Sequence, residues 1–433
     1  MRNNSFAIAQ QMVLAPLLVI LSSGCSTPQK RSGAGRSSDH AFIAYWPPPK
    51  DSNRLRLAVK DLIDMKGVVT TAGSEYLART YPPAKHDAKC LEIARERNVA
   101  IVGKTNLTEF AVGTTGVNDY FGTPVNRLNH KRNLIPGGSS SGAAVAVQDG
   151  MADVSFGTDS AGSIRTPAAF CGILGLKTTY GLVPLEGVFQ LSPTHMDTIG
   201  PMARDIPRLV QGMDLLQRGF AGRYEAAVEA KPLAKQIRIG RLYVDGTAPA
   251  IDKALDEALA AKGFRVVKMD KAFKDRWDQA EKDAKTVALA DIWLNDQTFL
   301  DKKGVTIATK LAIGQGKREY TGSYNAALRR RAAWRRAFRR DFRKVDFIAL
   351  PTIQQLPPTI PFFGRSIVFE LQVLDMQNTA AVNFAGNPAL AIPIPMKGQS
   401  RGQKVAVTSL QLIGPRLSEA QLLNAGRIIE SSH

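Results

Sequence analysis

The chain of 433 residues is 44% hydrophobic with an ordinary Gly and Pro content, so it reads as a globular, enzyme-sized protein with one large core or two ordinary ones. Its three cysteines exclude a disulfide framework or a cysteine zinc site, since Cys90 and Cys171 stand far apart and read as buried hydrophobes. The formal net charge of +19 suits nucleic acid, an anionic membrane surface or an organism with basic exported proteins, and does not choose among them.

Arg2, an apolar run from Met12 to Leu21, and then Ser22-Ser23-Gly24-Cys25 have the order of a secretory signal peptide over residues 1–25. The run is too short to span a bilayer and contains Pro16. Small residues before Cys25 also match a bacterial lipoprotein processing site, except that Ser22 stands where leucine is usual. Lipidation at Cys25, with membrane attachment, and plain secretion both remain open. Either makes the protein exported, in the periplasm or on a membrane. Residues 26–54, rich in Ser and Gly and then in Pro47-Pro48-Pro49, read as a tether, and 55–433 as a single domain.

Within that body the patterning predicts a strand at Leu57-Ala58-Val59, a helix over Asp87–Asn98, a strand over Val99–Val102, a helix over Ser140–Gly150 and a strand over Val154–Thr158. Further along, helices are expected at Ile206–Leu216 and Ile251–Ala261, and strands at Ile237–Leu242, Phe264–Val267, Phe347–Leu350 and Ala389–Ile394. Short apolar strands separated by amphipathic helices indicate an α/β fold with a mixed or largely parallel sheet. Arg329–Lys344 reads as a helix with Trp334, Phe338 and Phe342 at intervals of four and nine basic residues around them. A solvated face opposite an aromatic core stripe explains it, and an acidic partner or lipid head groups are the alternative.

Two loops carry candidate chemistry. Pro136-Gly137-Gly138-Ser139-Ser140-Ser141-Gly142 runs into a small-residue helix, so backbone N–H groups and hydroxyls face whatever binds there. Gly157-Thr158-Asp159-Ser160-Ala161-Gly162-Ser163 follows a buried-type strand and offers a serine on a turn with free N–H groups just ahead of it, the arrangement a nucleophile beside an oxyanion hole requires. None of His40, His86, His130, His195 and His433 lies in a context that recommends it as the base. Lys60, at the end of the Leu57-Ala58-Val59 strand, is the other candidate. To act near neutral pH its pKa must fall by about 3 from roughly 10.4, at a cost of about 4 kcal/mol.

Together these stretches resemble the amidase signature family. The match runs through Ala58-Val59-Lys60-Asp61, Gly103-Lys104-Thr105-Asn106 with Glu109-Phe110, Gly137-Gly138-Ser139-Ser140 and Gly162-Ser163-Ile164-Arg165-Thr166-Pro167. It continues through Cys171-Gly172, Gly175-Leu176-Lys177, Asp197-Thr198-Ile199-Gly200-Pro201 and Asn383-Phe384-Ala385-Gly386-Asn387-Pro388-Ala389. The resemblance implies a central mixed β-sheet with helices on both faces and a Ser–cis-Ser–Lys catalytic set: Ser163 as nucleophile, Ser139 as bridging serine after a cis peptide bond, and Lys60 as base. The two serines stand 24 positions apart, the spacing typical of the family. The backbone N–H groups of Ser160, Ala161, Gly162 and Ser163 become the expected oxyanion hole, with Gly138, Ser140, Asp159 and Arg165 in support. The implied activity is hydrolysis of a linear carboxylic amide, from a small molecule or a peptide, with neither cofactor nor metal needed.

Ala161 replaces a usual glycine, Thr178 a usual proline, and the stretch Phe220–Gly316, which helps wall the pocket in relatives, matches poorly. Gly138-Ser139-Ser140-Ser141-Gly142 also fits the G-x-S-x-G elbow of α/β-hydrolases with Ser140 as nucleophile, but lacks a credible downstream histidine. An amidotransferase component uses the same scaffold, and an exported protein would not meet charged tRNA. A catalytically silent relative that binds an amide, peptide or cell-envelope ligand is the reading from another class. No groove-reading module points to specific nucleic-acid binding.

Overall fold

The computed structural model describes residues 37–49, 51–129, 132–231, 233–361, 367–396 and 406–430. The expected signal peptide, Cys25, His130 and His433 lie outside the described residues. In chain order the elements are β1 (Phe42–Tyr45), β2 (Arg56–Lys60), α1 (Glu75–Thr80), α2 (Glu92–Glu96), β3 (Ala100–Thr105), α3 (Ser141–Gln148), β4 (Val154–Asp159), α4 (Arg165–Cys171), β5 (Leu174–Lys177) and β6 (Thr198–Ala203). Then follow α5 (Ile206–Leu216), α6 (Phe220–Ala230), β7 (Arg238–Arg241), α7 (Pro249–Lys262), β8 (Arg265–Lys268), α8 (Lys271–Asp296), α9 (Ile307–Gly322) and α10 (Tyr324–Asp341). The chain closes with β9 (Phe347–Pro351), α11 (Ile367–Asp375), α12 (Ala380–Ala385), β10 (Ala389–Pro395), β11 (Val407–Ile413) and α13 (Glu419–Glu430).

Among the described residues the strands form one 11-stranded sheet in the order β1-β3-β2-β4-β6-β5-β10-β11-β9-β7-β8. β2 runs parallel to both β3 and β4, and β7 parallel to β8 and β9, whereas β4–β6 and β10–β11 are antiparallel. The sheet is therefore mixed, as expected. Strand alternation explains why both faces are covered. Leu57 and Val59 of β2 enter a cluster with Ile93 of α2, Leu209 of α5, Leu255 of α7 and Leu422 of α13. Ala58, between them, enters another with Ala143–Val147 of α3 and Ala168 of α4. Small residues on that second face let α3 lie close: a Cβ on Gly142 would come within 2.2 Å of the Ala41 carbonyl oxygen.

Two expectations need correction. The stretch read as a tether is part of the body from at least Ser37: β1 pairs antiparallel with β3, and Phe42 is 1% exposed in the cluster around α3. Its Ser, Gly and Pro content hid a four-residue edge strand, too short for period-2 patterning to register. The helix expected over Asp87–Asn98 reduces to a 3₁₀ turn, Lys89–Leu91, followed by α2. The poorly matched stretch after Phe220 holds the 26-residue α8, started by the Asp270 carboxylate accepting from the Phe273 N–H at 2.7 Å.

The aromatic helix is α10. Trp334 and Phe338 stack on each other at 4.6 Å and pack against Phe273 and Trp277 of α8 at 6.3 and 6.4 Å, and Arg330 pairs with the buried Asp283 of α8 at 2.6 Å. The core-stripe reading accounts for the spacing. Cys90 and Cys171 are buried with free thiols that burial pushes up, Cys90 to about 12.

If β1 belongs to the folded body, Phe42→Ala should destabilise the protein by about 3–5 kcal/mol in urea unfolding, as a buried Phe truncation does. A change near zero would return this stretch to tether status.

Candidate active site

The parallel arrangement of β2 and β4 brings their carboxyl ends to one edge of the sheet, where Lys60 ends β2 and Thr158-Asp159 ends β4. Loops beyond the carboxyl ends of parallel strands are where α/β folds place their sites. The turn before α3 brings in Ser139, and the Gly138–Ser139 peptide bond is cis. Lys60 Nζ donates to Ser139 Oγ at 2.7 Å and to Thr158 Oγ1 at 2.8 Å. Lys60 and Ser139 are completely buried. Burial pushes the Lys60 amine down to about 7, against the pull of the Asp159 and Asp197 carboxylates.

Ser163 follows on the loop between β4 and α4. Its carbonyl accepts from the Ser140 N–H at 3.2 Å, which ties the two serine loops together. Ser140 is not placed as a nucleophile: its hydroxyl is buried and donates to the Thr158 carbonyl at 3.3 Å. The Ser163 side of the loop is the one that opens to a pocket, shared with Ser160 and Ala161.

One expected oxyanion donor is engaged elsewhere. The Gly162 N–H donates to Asp159 Oδ1 at 2.8 Å, and the Ile164 N–H to Asp159 Oδ2 at 3.1 Å. The carboxylate two residues upstream of Ala161 competes for the same loop, a contact that the sequence spacing did not reveal. Of the four expected donors, the Ser160, Ala161 and Ser163 N–H groups make no such bond among the described residues. Ala161 does not need glycine's freedom, because it is absent from the residues with positive φ. Gly162 does: its φ is 137°, and a Cβ there would lie 2.3 Å from Thr379 Oγ1.

Beneath the loop Asp159 and Arg165 are completely buried and form a two-point pair, Nε to Oδ2 at 3.0 Å and Nη2 to Oδ1 at 2.9 Å. Burial would raise the Asp159 carboxyl, but the Arg165 guanidinium holds it far below the usual carboxylate range. Arg165 also donates to the Thr379 carbonyl, Gln411 and Asn383. Asp197, raised by burial, accepts from Ser160 and from the Leu191 and Ser192 N–H groups. Spacing alone did not single out Thr158, Thr379, Gln411 or Asp197 for these roles. Three of the four come from strands or loops distant in sequence from the serines.

His195 does not complete a triad. Its Nδ1 lies 2.9 Å from Asp291 Oδ2, and Ser192 Oγ donates to the same carboxylate oxygen rather than to the imidazole. Tyr324 OH completes this structural cluster on the other oxygen at 2.8 Å.

The pocket beside Ser163 has a volume of about 110 Å³ and is walled by Val112 and Leu191, by Ala288, Leu289 and Ile292 of α8, by Ala312 of α9 and by Ile367, Leu371 and Leu374 of α11. Its two charged residues are both engaged, Lys285 with Asp375 at 3.0 Å and Glu370 with the Thr114 N–H at 2.7 Å. A larger hollow lined by Phe220, Phe342 and Leu417 contains none of the predicted site residues.

A buried lysine joined to a serine on a cis peptide, with a second serine on a neighbouring loop that lines a pocket, is the equipment of a serine hydrolase that dispenses with histidine. The family model described as amidase matches residues 55–423, and the chain belongs to that family, whose chemistry is hydrolysis of carboxylic amide C–N bonds. It is 31% identical to a glutamyl-tRNA(Gln) amidotransferase component of Halobacterium salinarum over 86% of this chain and 94% of that protein. The corresponding protein of Thermus thermophilus is 30% identical, with 87% and 84% covered. Among solved structures, a chain from a vestigial protein complex bearing on the origins of an s-triazine catabolic enzyme is 26% identical at a TM-score of 0.75, over 87% of this chain and 84% of that one. An amidase is 27% identical at a TM-score of 0.71 over the same shares.

Removing the Asp159 side chain leaves the Arg165 charge buried without its carboxylate. Asp159→Ala should therefore destabilise the fold by about 3–5 kcal/mol in thermal or urea unfolding.

Proposed function

We propose that the protein is a free-standing hydrolase of linear, largely apolar carboxylic amides, with Ser163 as nucleophile, Ser139 as proton bridge and Lys60 as base. The observation that carries this reading is the buried contact of 2.7 Å between Lys60 Nζ and Ser139 Oγ, with the amine held down to about 7 by burial. Neutral Lys60 takes the proton of Ser139 while Ser139 takes that of Ser163, and Ser163 Oγ attacks the carbonyl carbon. The developing oxyanion is met by the N–H groups of Ser160, Ala161 and Ser163. As the tetrahedral intermediate collapses, the C–N bond breaks and the proton returns through Ser139 to the leaving nitrogen. Water, deprotonated by the same bridge, then releases the acid and frees Ser163.

A second reading, the ammonia-supplying component of an amidotransferase, is favoured by the names of the relatives in Halobacterium salinarum and Thermus thermophilus. A free amino-acid amide brings an ammonium and a carboxylate that need partners once desolvated. The pocket's mainly aliphatic wall and its two already engaged charges speak for a neutral substrate instead. The signal-like order of residues 1–25 supports export as well, with Cys25 as the candidate lipidation point. Radiolabelled palmitate incorporated by the native protein and lost in Cys25→Ser would establish the anchor.

Exposure to a fluorophosphonate should give one covalent adduct by intact mass, absent in Ser163→Ala. Turnover should vanish in Ser163→Ala, fall at least about 10³-fold in Lys60→Ala, and survive largely in Ser140→Ala. An adduct that persists in Ser163→Ala sinks the assignment.

The pH dependence follows from which form is active. Lys60 must be neutral, so kcat/KM should be flat above its pKa of about 7 and fall tenfold per pH unit below it, to about one hundredth of the plateau at pH 5. An acyl series of primary amides, from acetamide to hexanamide, should be turned over faster than glutamine. Ammonia release confined to glutamine would favour the amidotransferase reading.

A further inference from the structure

Glu370, on α11, lies 5% exposed beside the pocket, outside the short motifs that carry Lys60 and the two serines. Its Oε2 accepts from the backbone N–H groups of Thr114 at 2.7 Å and Thr115 at 3.1 Å, and its Oε1 accepts from Thr115 Oγ1 at 2.6 Å. The carbonyls of those same two residues face the other way. The Thr114 carbonyl accepts from the Gly138 N–H at 2.7 Å, and the Thr115 carbonyl from the Gly137 N–H at 3.1 Å. Gly138 is joined by the cis bond to Ser139, whose hydroxyl meets Lys60. One carboxylate, 256 positions from Thr114, is thus two hydrogen bonds away from the peptide that sets the bridging serine.

The packing leaves this chain of contacts no slack. A Cβ on Gly113 would lie 2.8 Å from Glu370 Oε1, one on Gly116 2.4 Å from the Gly137 carbonyl oxygen, and one on Gly138 2.8 Å from the Gly116 nitrogen. The 113–116 loop and the 136–139 turn lie backbone against backbone. A displacement of the loop therefore passes directly to Ser139 instead of being absorbed by side chains.

We propose that Glu370 is a positioning residue for the reaction: its carboxylate fixes the Thr114-Thr115 loop, which fixes the Gly138–Ser139 peptide and so the Ser139 hydroxyl between Lys60 and the nucleophile. It touches no reacting atom in this role. The inference rests on the Ser163/Ser139/Lys60 reading of the site. It adds that α11 supplies the strut for the proton bridge as well as part of the pocket wall. The carboxylate suits this duty because two N–H groups and a hydroxyl converge on it and a charged acceptor holds donors more firmly than a neutral one.

The experiment compares wild type with Glu370→Ala, Glu370→Gln and Thr115→Val, using the rate of Ser163 phosphonylation by a fluorophosphonate, kcat and KM for one amide, and the unfolding midpoint. Glu370→Ala should lose at least 30-fold in phosphonylation rate and in kcat with KM within about threefold. Glu370→Gln keeps one acceptor oxygen of the same reach and should recover most of the loss, and Thr115→Val should lose a few-fold. Wild-type rates in a folded Glu370→Ala overturn the proposal. So does a KM effect with kcat unchanged, which makes Glu370 a pocket wall only, or a loss in Glu370→Ala that merely follows the unfolded fraction. If wild-type protein is not labelled, or Ser163→Ala still is, the fault lies with the reading of the site and not with Glu370.

Discussion

Everything in this site depends on keeping a lysine amine dry beside a hydroxyl. Lys60 is enclosed at the end of β2 and makes its two side-chain hydrogen bonds to neutral oxygens, those of Ser139 and Thr158. Desolvation disfavours the ammonium, and with no carboxylate in contact the amine stays near neutrality, where it can accept a proton. Lys104, one strand over, shows the other fate of a buried lysine: its amine sits 2.9 Å from Asp61 as a structural ion pair. Lys177 is also pushed down to about 7 by burial, but it donates to the Thr178 and Asn387 carbonyls, which have no proton to give. Chemistry therefore follows from the partner and not from burial alone.

The negative charge that this arrangement lacks at Lys60 is held one layer down. Asp159 is committed to Arg165 by two hydrogen bonds and also accepts from the Gly162 and Ile164 N–H groups and from Asn383 Nδ2. That clamp holds the loop whose Ser160, Ala161 and Ser163 line the pocket. Arg165 in turn reaches Thr379, Asn383 and Gln411, so the loop is braced by α12, by β11 and by the segment leading into α12. A pair buried this deeply adds little net stability by itself. Its contribution is to give the loop one conformation.

The segments after Phe220 complete the site. α8, α9 and α11 supply the apolar wall, and Glu370 and Gln377 place polar groups at its edge. The motif-bearing first half holds Lys60, Ser139 and Ser163, while the later helices wall the pocket beside Ser163. This division explains why the motifs identify the reaction class and leave the substrate to the pocket wall.

The sequence by itself determined seven of the eleven strands, β2, β3, β4, β7, β8, β9 and β10, and both serine loops. Strands buried on both faces are apolar nearly throughout, and Gly-Ser turns are conspicuous in composition, so β2, β4, β9 and β10 and the positions of Lys60, Ser139 and Ser163 were legible. It did not reveal β1 or β5, four residues each and too short to carry a period, nor β6 and β11, nor α8, whose charged surface masks its buried stripe. Only the tertiary structure decided that the Gly162 N–H belongs to Asp159, that His195 and Ser192 share a carboxylate instead of a proton path, and that Glu370 braces Thr114 and Thr115. The physical reason is the same in each case: a hydrogen bond is fixed within a few tenths of an ångström by the packing of whole elements. Spacing along the chain constrains such distances only within one helix, strand or turn.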